Sequence, residues 1–139
     1  MNAHGMKMMG FLLILVCTMG CATMSDVVRS KEQGNGTSKV YRVTTDEAWE
    51  IAKAVFRWEE TGAVEEHRSE GYMLTSMGES LTSWGIVMGV WIEPVNDHST
   101  KVTIVIKRKN PTDVITPLTE AAFHEDFELT VRFKTRRSL

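Results

Sequence analysis

Residues 81–109 read LTSWGIVMGVWIEPVNDHSTKVTIVIKRK. From Leu81 to Ile92 the stretch alternates, with Trp84, Ile86, Met88, Val90 and Ile92 on one side and Gly85, Val87, Gly89 and Trp91 on the other. Successive side chains of a strand point to opposite faces, so this alternation marks an extended segment with one face in a core. The glycines on the second face leave room for another element to approach closely. Residues 94–99 carry the turn formers Asn96 and Asp97. Residues 101–109 then alternate again, Val102, Ile104 and Ile106 against Thr103, Val105 and Lys107. Two such runs joined by a short turn pair as antiparallel neighbours.

Upstream, residues 63–67 and 72–77 read as further strands separated by the Ser69-Glu70-Gly71 turn. Before them, Thr44 with Glu47 three residues on forms a capping-box signature. The helix it opens carries Ala48, Ile51, Ala52, Val55 and Phe56 on one stripe, with Asp46, Glu47, Glu50, Lys53 and Arg57 mainly off it, and it stops near Thr61-Gly62. Val40–Val43 is a short β-prone run ahead of that helix. The last segment carries both periods. Leu118, Ala121, Ala122, Glu125 and Leu129 suit a helix after Thr116-Pro117, whereas Phe127, Leu129, Val131 and Phe133 alternate like a strand. Pro at the first turn of a helix favours the helix, through at least Phe127. The order is β-α-β-β-β-β-α over residues 40–139, an α+β domain whose antiparallel sheet carries two helices on one face.

The chain of 139 residues has room for one domain. Its net charge of −2, with both signs interspersed, argues against a nucleic-acid partner. The two cysteines, Cys17 and Cys21, leave no disulfide framework for the domain, and the four histidines, His4, His67, His98 and His124, show no ligand spacing. Residues 23–39 (TMSDVVRSKEQGNGTSK) are polar and contain Gly34 and Gly36, so they read as a flexible linker ahead of the domain.

Residues 1–20 have the parts of an export signal: Lys7 as the cationic start, the apolar run 8–16 (MMGFLLILV), and small residues at the end. The run is far shorter than the roughly 20 residues that span a bilayer. Met6 offers an alternative start, which would give a compact precursor. The segment closes on Thr18-Met19-Gly20-Cys21. It resembles the lipobox of bacterial lipoprotein precursors, in which a small residue precedes the cysteine that is lipidated; Gly20 and Cys21 match, and Thr18 and Met19 depart from the usual residues. The resemblance implies cleavage before Cys21, acylation of its thiol and anchoring in a membrane, which is stable when two or three chains are attached. Ala22 after the cysteine, rather than Asp, points by the same resemblance to the outer membrane, facing the periplasm. With its helix after Val43 and its strand from Lys101, the domain is distantly similar to the helix-grip domains of a lipoprotein in the outer-membrane barrel-assembly machinery.

A search for catalytic chemistry finds little. His124-Glu125 begins like a zinc-peptidase helix motif, but Glu128 stands where the second histidine is needed, so a surface histidine among acids is expected. Glu59, Glu60, Glu65 and Glu66 read as solvated charge, and no G-x-S-x-G elbow or phosphate-cradling glycine loop occurs. The expectation is a non-enzymatic structural or adaptor lipoprotein with an envelope protein partner, and with no catalytic residue, metal or cofactor. The alternative is a periplasmic small-ligand-binding lipoprotein, with the Gly85 and Gly89 face lining a cavity. Candidate contact residues are Trp91, as an exposed anchor, and Lys107, Arg108 and Lys109, which would form a basic patch if Arg132, Lys134, Arg136 and Arg137 met them in space.

Overall fold

The computed structural model of the protein describes residues 21–81 and 83–137. The export segment expected over residues 1–20 lies outside them. Helix α1 (Met24–Glu32) is followed by strand β1 (Thr37–Tyr41), helix α2 (Thr45–Trp58) and strands β2 (Glu65–His67), β3 (Tyr72–Met77), β4 (Ile86–Asn96) and β5 (Ser99–Arg108). Helix α3 (Glu120–Arg137) closes the order. The expected α+β class holds, with one helix added at the front.

The five strands form one antiparallel sheet in the order β1-β5-β4-β3-β2. The hairpin read from residues 81–109 is its centre: Ile86 lies opposite Arg108, Val90 opposite Ile104 and Ile92 opposite Val102. The alternation sorts the side chains as expected. Ile86, Met88, Val90, Ile92, Val102 and Ile104 face α2 and α3 and form the main core with Trp49, Phe56, Phe123 and Phe127. Val87, Leu74 and Val105 face the other way.

Three local expectations change. Residues 23–39 are not a loose linker. Thr23 caps α1, its hydroxyl accepting from the Asp26 amide while the Asp26 carboxylate takes the Thr23 amide at 2.7 Å. Val27 then packs with Leu74, Val87 and Val105, with Met24 and Val28 beside them. A helix of nine residues is marginal by itself, so this second face of the sheet is what holds it. Strand β4 begins at Ile86 rather than Leu81, because Gly85 adopts φ +91° and turns the chain. Trp84, expected on the core face, therefore stands outside the strand and more than half exposed.

The C-terminal ambiguity resolves as helix along its whole described length. Phe123, Phe127 and Thr130 are buried at helical spacing, while Leu129 and Phe133, which a strand would have placed beside Phe127, are exposed. The helix starts three residues after the proline, where the Thr119 hydroxyl accepts from the Ala122 amide at 3.1 Å.

Candidate functional site

Cys21 is exposed and its thiol is unpaired. Only Ala22 and Thr23 separate it from α1, and the Ala22 amide donates to the Lys109 carbonyl at 3.3 Å, pinning the chain to the end of β5. Cys21 lines a groove of about 390 Å³ with Glu79, Trp84, Lys109 and Pro111. Two loops meet there, 78–85 before β4 and 109–119 after β5. Asp113 joins them. One of its carboxylate oxygens accepts from the Ser83 hydroxyl at 3.1 Å and from the Trp84 amide at 2.8 Å, while Arg108 donates to its carbonyl. The Gly85 amide donates to the Ser83 oxygen at 3.0 Å, so Ser83 is committed to holding the turn. Around this clamp Leu81 and Val114 stand almost wholly in solvent, and Trp84 and Ile115 more than half so.

Trp91 is half-buried rather than a free anchor. Its ring stacks on Tyr72 with centroids 5.5 Å apart, Tyr72 stacks on His67 at 4.5 Å, and the Lys31 ammonium of α1 lies 5.8 Å from the Trp91 centroid. The room beside Gly89 is taken: a Cβ there would meet the Trp91 ring at 2.7 Å and Leu74 at 2.9 Å. Beside Gly89 the space is thus filled by this protein's own side chains, and beside Gly85 by the Met77 and Gly78 backbone.

The basic residues do not gather into one patch. Lys107, Arg108 and Lys109 lie where β5 meets the start of α3, fixed there by the Ile106 amide donating to the Glu120 carboxylate at 3.2 Å. Arg136 and Arg137 lie at the far end of α3, whose 18 residues extend roughly 27 Å. Arg132 pairs with Glu128 at 2.6 Å. At that far end Arg136, Arg137 and Lys134 border a groove of about 480 Å³ with Trp58 and Phe133, both exposed.

His124 is fully buried, not on the helix surface. Its Nε2 lies 2.9 Å from the Thr37 carbonyl, which can only accept, so Nε2 carries the ring proton. Nδ1 then accepts from the Tyr41 hydroxyl at 2.8 Å. Burial pushes the imidazole below its ordinary pKa and pushes the Tyr41 phenol well above its own. Both ring nitrogens are thereby engaged in joining α3 to β1. Of the four glutamates, Glu66 accepts from the Trp49 indole at 2.7 Å, a bond that holds its carboxyl below the usual range, whereas partial burial raises Glu59. Glu65 pairs with His67 at 2.6 Å.

Val114 and Ile115 escape a reading based on periodicity, because loop residues have none, while Leu81 and Trp84 are misplaced by it, because the apparent alternation runs back past the turn at Gly85. Apolar side chains inside turn-rich segments, next to Gly78, Ser80, Pro111 and Pro117, are the available signal. Among the described residues no helix is long and apolar enough to cross a membrane.

No protein-family model matches the chain, and no curated protein does. Among solved structures the chain is similar to the di-domain ARO/CYC BexL from the BE-7585A biosynthetic pathway, at 10% identity and a TM-score of 0.43. The match covers 74% of this chain and 42% of that one, so the chain spans less than half of its length. Neither activity nor ligand follows from it.

Proposed function

We propose that the chain is a lipid-anchored envelope protein, acylated on Cys21, whose α+β domain serves a non-enzymatic structural or adaptor role at the outer membrane. The observation that carries this is the position of Cys21. It follows Gly20 in a lipobox-like run and is exposed at the head of the folded domain, where a modifying enzyme can reach its thiol. The adaptor reading is preferred to ligand binding because Trp91 and Leu74 fill the space beside Gly89. It is preferred to catalysis because the buried His124 and Ser83 are both committed to structural bonds. For a protein partner, the exposed pair Trp58 and Phe133 beside Arg136 and Arg137 offers a surface suited to an acidic, partly apolar face.

The test is the intact mass and membrane partition of the chain made in a Gram-negative host, beside Cys21→Ser. The expected product is residues 21–139 plus acyl chains in the membrane fraction, with both mass and partition lost in the variant. A soluble, unacylated product from both versions refutes the anchor.

A further inference from the structure

The end of the domain that bears Cys21 has a surface that anchoring by lipid alone does not require. Leu81 and Trp84 from one loop and Val114 and Ile115 from the other are exposed, and Asp113 holds the two loops together. Apolar residues gathered at loop tips and rimmed by polar ones mark an interaction surface. The rim carries both signs: Lys107 and Arg108 end β5 and Lys109 follows, beside Asp26, Glu79 and Asp113. The chain also allows no slack. Cys21 shares a groove with Trp84 and Lys109, and the Ala22 amide is bonded to Lys109, so whatever holds the Cys21 sulfur holds these loops beside it.

We propose that this rim docks on the bilayer surface itself. The domain lies against the headgroup layer, with Leu81, Trp84, Val114 and Ile115 entering the interface and Lys107 and Lys109 meeting anionic headgroups. Tryptophan favours that depth because its ring is apolar and its N–H is polar, and lysines beside it are drawn by acidic lipid. The inference rests on acylation of Cys21, and adds to it an orientation: the sheet end with the two loops faces the membrane.

The test uses the full chain made in a Gram-negative host and purified in its mature form. It is reconstituted into vesicles of phosphatidylcholine and phosphatidylglycerol brominated high on the acyl chains. Intact mass reports acylation, and the emission lost in Trp84→Phe isolates the share of Trp84. Bromine is expected to quench that share, because an interfacial indole sits at the depth of the upper acyl chains, and Lys107→Glu with Lys109→Glu is expected to weaken the quenching. An acylated protein whose Trp84 share is unquenched overturns the docking and leaves the anchor standing. Protection of Trp84 from iodide without quenching by bromine puts a protein, such as a second copy of this chain, on the rim and also overturns it. An unacylated mass overturns the anchor and the docking together.

Discussion

His124 shows how one buried side chain ties distant parts of the chain and makes the fold sensitive to acid. Burial is the main reason its imidazole resists a proton; Lys39 acts the same way, while the Thr37 bond and Glu120 oppose it. In the unfolded chain the ring takes its proton near the reference value of about 6.5. As pH falls from there towards the lower folded value, the unfolded state binds more protons, so this contribution is complete above that pH and is lost below it. The urea midpoint is expected to drop between about pH 7.5 and pH 5.5, and His124→Gln to flatten the drop while lowering the midpoint throughout. A slope that the substitution leaves unchanged assigns the titration elsewhere. The residue type was visible in the sequence; its burial was not, because its partners, Thr37 and Tyr41, lie 87 and 83 positions away.

Helix α1 is the element that turns a two-layer domain into three layers. It rests on a capping box and on a narrow stripe of Met24, Val27 and Val28 against Leu74, Val87 and Val105. Thr23→Ala removes the cap and is expected to cost about 1 kcal/mol. Amide exchange is expected to accelerate over residues 27–33 first, with β4 and β5 unaffected under native conditions. Equal acceleration everywhere would show that α1 unfolds only with the whole domain. The same signature at Thr44–Glu47 is legible because α2 follows it with a broad apolar stripe. At Thr23–Asp26 the acid is Asp, and Ser25, Arg29, Lys31 and Glu32 dilute the pattern until it reads as linker. Strand boundaries show a similar division: alternation locates β4, but the left-handed Gly85 decides where it starts.

At the scale of the molecule, the absence of slack between Cys21 and α1 yields a prediction for the proposed lipid-anchored form. A seventeen-residue tether over 23–39 would be open to proteases, whereas Thr23 capping α1 and Ala22 bonded to Lys109 leave almost no extended chain to cut. Limited proteolysis of the membrane-bound mature protein is therefore expected to release no intact soluble domain. Rapid release of a fragment beginning within residues 23–39 would show that α1 separates from the sheet at the membrane. The groove lined by Trp58, Phe133, Arg136 and Arg137 lies at the opposite end of α3, away from the proposed membrane-facing loops.

Everything legible from residues alone is local. Alternating side chains marked the strands, and the stripe after Thr44 marked α2. Together they determined an α+β domain with an antiparallel sheet and two helices on one face, while Gly20-Cys21 supplied the anchoring expectation. These signals repeat within a few residues and need no partner to be read. The tertiary structure decided what depends on meetings across the chain. It put α1 on the second face, buried His124 against β1, filled the space at Gly89, and separated the basic clusters by the length of α3. It also brought Trp84 beside the loop of Val114 through Asp113, 30 residues from Ser83. Periodicity records which way a side chain points, and only packing decides what stands there to receive it.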